Sequence, residues 1–182
     1  MFSGIVEFCT DRFIFKESVI EIELPFECKI GESVSVNGAC LTVKESVGNK
    51  YYFDIGDETK KVTNISFSRY LNIERALKIG DRVNGHFVLG HVDGMIRFVK
   101  SIRKNSSIYM YFSLPKERYA VVRKGSIALN GISLTISNVS LDVFEVQVIY
   151  HTFENTNLKY LRVGEFVNYE IDIFARYGRG EN

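Results

Sequence analysis

Between Gly90 and Gly94 stand His91 and Asp93, an imidazole that can move a proton near neutrality beside a carboxylate. The flanking glycines would let backbone approach a flat ligand closely. Elsewhere a thiol and a hydroxyl occupy equivalent places, in Asn37-Gly38-Ala39-Cys40-Leu41-Thr42-Val43 and Asn130-Gly131-Ile132-Ser133-Leu134-Thr135-Ile136. Strand alternation puts Cys40 with Thr42, and Ser133 with Thr135, on one face of each unit. Such faces offer donors and acceptors to the edge of a polar heterocycle. The plainer alternatives are a small buried Cys, Ser and Thr that satisfy turn backbone, and a hairpin histidine. A Ser-His-Asp triad cannot be read from residue order. His86, His91, Asp93 and His151 match no usual zinc spacing.

These residues sit in a duplicated frame. Gly31 to Ile65 aligns with Lys124 to Leu158 without a gap, and Ser33/Ser126, Thr59/Thr152, Thr63/Thr156 and Asn64/Asn157 coincide. Outside this block Gly4-Ile5-Val6-Glu7 resembles Gly90-His91-Val92-Asp93, and Asn72-Ile73-Glu74 resembles Asn168-Tyr169-Glu170. Asp57-Glu58-Thr59 corresponds to Tyr150-His151-Thr152, so one binding edge could be equipped for two tasks. Two units of roughly 90 residues are expected, each marginal alone. Residues 1–85 and 86–182 are the predicted domains, with Asp81 to His86 as the join.

Alternation in Ser33-Val34-Ser35-Val36 and Phe144-Glu145-Val146-Gln147-Val148-Ile149 predicts short antiparallel strands, in a sandwich or barrel. Asn37-Gly38, Asn130-Gly131 and Val47-Gly48-Asn49-Lys50 predict hairpin turns. Short helices are expected from Leu24-Pro25 and Leu114-Pro115, where proline suits a first helical turn.

With 23 Lys and Arg against 22 Asp and Glu, the chain has no basic stripe for nucleic acid. No apolar run reaches the ~20 residues of a membrane span, and no secretory signal is visible. Three unpaired cysteines in the first half, Cys9, Cys28 and Cys40, fit a reducing compartment, so a cytoplasmic address is expected.

Taken together, Met1 to Glu7, Asn37 to Val43, Asn72 to Leu77, Gly85 to Gly94, Gly131 to Thr135 and Val167 to Asp172 resemble the riboflavin synthase family of the α-chain type. The resemblance implies an all-β fold of two tandem six-stranded Greek-key β-barrels with short helices, related by a pseudo-twofold duplication. Each barrel would bind one 6,7-dimethyl-8-ribityllumazine. Without a cofactor, a four-carbon unit passes between the two molecules to give riboflavin and 5-amino-6-(ribitylamino)uracil. The productive site forms between barrels of neighbouring subunits, so a homo-oligomer, a trimer in the family, is implied, and lumazine synthase joins the expected partners.

Carried over by position, the first ligand meets Cys40, Leu41, Thr42, then Asp54, Ile55, Gly56, Asp57, Glu58 and Thr59, with Gly90, His91 and Val92, while Lys124 reaches it from a neighbour. The second meets Ser133, Leu134, Thr135, then Ile149, Tyr150, His151, Thr152, Phe153 and Glu154, with Gly4, Ile5 and Val6. His91, Cys40, Ser133 and Thr135 are the expected catalytic groups. Three departures stand out: Asn130 replaces the family's Asp, Tyr150 replaces a Pro, and the chain ends at Asn182, which leaves no room for the family's trimer-forming helix. A chromophore-holding protein of the same fold is the main alternative. A flavin electron-transfer module is more distant, since no Rossmann fingerprint is present.

Overall fold

The computed structural model describes residues 1–104 and 107–178. Polar–apolar alternation does build strands: in β4 (Ser33–Val36) and β5 (Ala39–Val47) the residues Val34, Val36, Leu41 and Val43 turn into a core while Cys40 and Thr42 face outward. The first unit continues through β6 (Lys50–Asp54), helix α1 (Asp57–Val62) and β7 (Leu71–Arg75), after β1 (Phe8–Thr10), β2 (Phe13–Lys16) and β3 (Val19–Glu23). The second contains β8 (Gly94–Lys104), β9 (Ser107–Ser113), β10 (Ser126–Leu129), β11 (Ile132–Val139), β12 (Val143–Ile149), helix α2 (Tyr150–Asn155), β13 (Phe166–Ile171) and helix α3 (Ile173–Gly178).

Both units are antiparallel six-stranded barrels. The second closes in the order β10-β11-β12-β9-β8-β13. The first runs β1-β7-β4-β5-β6-β3-β2, which is the same circle with its β8-equivalent strand broken into β1 and β2. At the break Thr10 Oγ1 accepts from Arg12 N–H at 2.9 Å, and Arg12 C=O accepts from Glu23 N–H at 3.1 Å, so the barrel is nearly closed. Each barrel has its own core, around Ile20, Phe53 and Leu71 in the first and Met110, Phe112 and Phe144 in the second.

The hairpin turns form as expected: Asn37 and Gly38 have φ of 48° and 85°, Asn130 and Gly131 have 45° and 77°. The two helices expected at prolines do not. Leu24-Pro25 opens an irregular segment in which Phe26 and Cys28 pack on the first core, and after Leu114-Pro115 there is only a 3-10 turn, Arg118–Ala120. Burying apolar side chains over the barrel end outweighs what proline contributes at a first turn. Helices form instead after β6 and β12, where Thr63 Oγ1 donates to Thr59 C=O and Thr156 Oγ1 to Thr152 C=O, at 2.6 and 2.8 Å. The matched threonines of the repeat thus mark helix ends.

The barrels meet across a pseudo-twofold axis built from equivalent residues. Phe2 and Val88 exchange backbone hydrogen bonds of 2.7 and 3.1 Å. The turn glycines touch so closely that a Cβ on Gly38 would lie 2.8 Å from Gly131 N, and one on Gly131 the same distance from Gly38 N. Around them six buried asparagines, Asn37/Asn130, Asn64/Asn157 and Asn72/Asn168, bond across the junction: Asn64 Nδ2 donates to Asn130 Oδ1, Asn157 Nδ2 to Asn37 Oδ1, Asn72 Nδ2 to Asn157 Oδ1, and Asn64 N–H to Asn168 Oδ1. Side-chain amides suit this place because each supplies donors and an acceptor without charge. No buried side-chain polar atom among the described residues lacks a partner.

Candidate functional site

Each barrel lends a wall to the other. The segment before β1 crosses to the second barrel, where Gly4 C=O accepts from Ser133 N–H at 2.8 Å and Val6 packs on the second core. The segment before β8 crosses to the first barrel, where Gly90 C=O accepts from Cys40 N–H at 3.0 Å and Val92 packs on the first core. Both glycines are obligatory: at φ of 76° and 82°, a Cβ on Gly4 would lie 2.6 Å from Ser133 Cβ, and one on Gly90 2.5 Å from Cys40 Cβ. Cys40 is therefore brought to Gly90, His91 and Val92, and Ser133 to Gly4, Ile5 and Val6.

The two centres differ in chemistry. Ser133 Oγ lies 2.7 Å from His86 Nδ1, a partner that Cys40 lacks among the described contacts. Burial lowers the His86 pKa below the ordinary imidazole value, against a weaker upward pull from Asp172. With its other nitrogen protonated, the neutral ring accepts at Nδ1 from the serine, the relation of a nucleophile to its base. Sequence reasoning assigns His86 no catalytic role, placing it at the join, in a family motif and in a metal grouping of unusual spacing; its signal is position, next to a Gly85 whose Cβ would strike Ser3 C=O and Ser133. Burial also pushes the thiols of Cys9 and Cys28 up to about 11, leaving them protonated at neutral pH.

The crossing segments are held by two buried carboxylates on equivalent strand positions. Glu74 on β7 accepts from Ser3 N–H, Ser3 Oγ and Gly4 N–H at 2.8, 3.0 and 3.0 Å. Glu170 on β13 accepts from Leu89, Gly90 and His91 N–H at 2.7, 3.0 and 3.0 Å. Burial raises both carboxyl pKa values, and the converging N–H donors oppose it without cancelling it.

The remaining expected residues fall into distinct places. Leu41 and Leu134 point into the barrel cores, so only their backbone is open to a ligand on the outer face; Ile55 is likewise buried. Thr42, Thr135, Asp54, Gly56, Asp57, Glu58, Ile149, Tyr150 and His151 are exposed along β5, β11, the strand ends and the first turns of α1 and α2. Asp54 is paired with Lys44 at 2.9 Å, the Arg103 guanidinium lies 5.4 Å from the centre of the Tyr150 ring, and Phe153 packs on the second core. Thr59, Thr152 and Glu154 are half-buried. Lys124 is exposed before β10 at φ 68°, the position Gly31 fills in the first repeat. Asn130 belongs to the junction network, where its Nδ2 donates to Asn157 at 3.3 Å, so the amide has a structural use that a carboxylate could not serve. Asp93 pairs with Arg176 at 2.6 Å, and Asp172 caps α3 through Phe174 N–H. Among the described residues no three His, Cys, Asp or Glu form a metal cluster. A cavity of about 280 Å³ opens at the junction beside Asn64, Tyr70, Tyr160 and Phe166, and none of the expected ligand residues lines it.

Two tandem barrels with exchanged walls, each presenting a polar outer face beside a glycine-held segment, define a duplicated ligand-binding protein. The chain belongs to the lumazine binding domain family, whose model matches residues 4–84 and again 89–172. Riboflavin synthases are its relatives in sequence: that of Bacillus amyloliquefaciens is 35% identical over 97% of this chain and 87% of its own length, and that of Chlamydia muridarum 39% identical over 80% and 74%. The fold matches the crystal structure of LumP complexed with riboflavin, with TM-score 0.82 and 24% identity over 94% of this chain and 99% of that one.

Proposed function

We propose that this chain is a riboflavin synthase, which converts two molecules of 6,7-dimethyl-8-ribityllumazine into riboflavin and 5-amino-6-(ribitylamino)uracil. The observation that carries the reading is that both repeats keep an equipped site, Cys40 against the Gly90–His91 segment and Ser133 against the Gly4 segment with His86. Relatedness over nearly the full chain to riboflavin synthases supports it. The two products contain every atom of the two substrates, so the transfer needs no external oxidant or reductant.

In this reading each barrel's outer face holds one ring. Ser133 Oγ adds at C7 of one lumazine as its proton passes to His86 Nδ1, and the π pair of the C7=N8 double bond moves onto N8 and the conjugated ring while the C–N σ bond stays intact. His91 and Cys40, at the other site, take part in removing a proton from the C7 methyl of the second lumazine, and Thr135 steadies the acceptor. Alignment of the two rings supplies much of the acceleration, since oriented reactants save ~7–11 kcal/mol. The two rings meet when the first barrel of one copy faces the second barrel of another, with Lys124 contributed by a neighbour. Exposed Phe174 and Tyr177 on α3 are available to such association. A cytoplasmic location fits three free cysteines, and among the described residues no helix is long and apolar enough to cross a membrane.

The deciding experiment incubates the purified protein with 6,7-dimethyl-8-ribityllumazine alone and follows riboflavin by absorbance and fluorescence. Riboflavin and the uracil in equal amounts are expected. Tight binding without turnover would replace the enzyme with a chromophore-holding protein of the same fold.

A further inference from the structure

Glu74 and Glu170 are the only buried carboxylates among the described residues, and neither meets an opposite charge in any described ion pair. Both spend their oxygens on backbone N–H groups of a segment that belongs to the other barrel's site. Glu74 stands on β7 of the first barrel, yet the Ser3–Gly4 segment it grips delivers Gly4 C=O to Ser133 of the second. The same segment also receives His86 N–H at Ser3 C=O, 3.2 Å away, so the imidazole facing Ser133 is seated on it too. Glu170 stands on β13 of the second barrel, and the Leu89–His91 segment it grips delivers Gly90 C=O to Cys40 of the first.

We infer that Glu74 and Glu170 are reciprocal positioning residues: each carboxylate fixes the wall of the lumazine site on the barrel opposite its own. This deepens the proposed function and rests on it for the identity of the ligand. A glutamate is suited to the task because its two oxygens take three donors at once, as no neutral side chain can. A glutamine keeps one good acceptor and points N–H₂ toward N–H groups, so the wall loosens while the volume of the side chain is unchanged. Losing one hydrogen bond to a charged acceptor opens the wall roughly tenfold or more.

The test compares E74Q and E170Q with the unaltered protein by hydrogen exchange at the Ser133 and Cys40 amides, whose acceptors are Gly4 and Gly90. The expected result is crossed: E74Q speeds exchange at Ser133 about tenfold and leaves Cys40 within about twofold, while E170Q does the reverse. Where a glutamine variant does not fold, the aspartate variant, which keeps the charge but retracts it, is read in the same way. Equal acceleration at both amides in both variants would show general destabilisation and overturn the assignment. Exchange needs no ligand, so a protein that makes no riboflavin would refute the proposed function and leave this inference standing. With turnover present, E74Q should lower kcat and flatten the acidic limb of the pH profile set by His86, whereas E170Q should keep that limb. Identical kinetic defects would also overturn it.

Discussion

Replacing Gly38 by alanine tests the closeness of the two barrels where they touch. The added Cβ meets Gly131 N at 2.8 Å and Gly131 Cα at 3.1 Å, backbone atoms of a turn that cannot swing aside. Two costs combine. A non-glycine residue at φ 85° loses about 1–2 kcal/mol, and forcing a methyl into a packed contact about 1–3 kcal/mol more. Gly48 separates them, since its φ is 62° but a Cβ there meets nothing within 4 Å. Gly48→Ala should therefore show the backbone term alone, and Gly38→Ala about 2–5 kcal/mol in total. For a chain of this size that corresponds to melting temperatures lower by about 3–5 °C for Gly48→Ala and about 5–15 °C for Gly38→Ala. Calorimetry on Gly38→Ala, Gly131→Ala and Gly48→Ala at one protein concentration reads both terms. If Gly38→Ala costs no more than Gly48→Ala, the turns are not in contact and the junction described above is wrong.

Other perturbations address the chemistry. His86 is half-buried with a lowered pKa, so its neutral form persists to lower pH than a free imidazole; activity should decline only below the ordinary value near 6.5, and His86→Asn should remove that limb from a pH–rate profile. The stability sign is also fixed: a depressed histidine contributes fully above its unfolded pKa, and that contribution is lost as pH falls from there through the lower folded pKa, visible as a steeper acid loss of melting temperature than in His86→Asn. Ser133→Ala should slow riboflavin formation by about 10²–10⁴ because it removes the group paired with His86, while Cys40→Ala should slow it less; unaltered kinetics and affinity in both variants would mark the positions as structural. Riboflavin formation should survive a chelator, and loss restored by one particular metal would contradict this. Specific activity should fall on dilution, and a substrate analogue should strengthen association, which sedimentation and activity across the same concentrations would check.

Much of this was written in the chain. The ungapped repeat, the Asn-Gly turns and the alternation in β4 and β12 specify two like units of short antiparallel strands because period and turn chemistry are local properties, while the choice of barrel over sandwich came with the family resemblance. Helix positions were less legible: Pro25 and Pro115 signal a first turn, but the packing of Phe26 and Cys28 is a tertiary matter. The segments around Asp57 and Tyr150 were recognised as equivalent, yet nothing local announced that they coil. The exchange of Gly4 for Gly90 between sites followed from the family resemblance, whereas the grip of Glu74 and Glu170 did not. Their signal was present, since Asn72/Asn168 and Glu74/Glu170 recur two residues apart and thus share a strand face. Seeing its purpose required knowing what lies across the junction.

That junction also carries a history. An interface made of equivalent residues about a twofold axis, Phe2 with Val88, Gly38 with Gly131 and Asn72 with Asn157, Asn157's own counterpart being Asn64, is self-complementary in the manner of an isologous homodimer. A single ancestral barrel bearing these residues would have paired with a copy of itself, trading its leading segment for its twin's. Fusion of two such copies would make the partners permanent and release them from being identical. Cysteine could become serine, and histidine could arrive beside only one of them, without any loss of the fit that symmetry had already established.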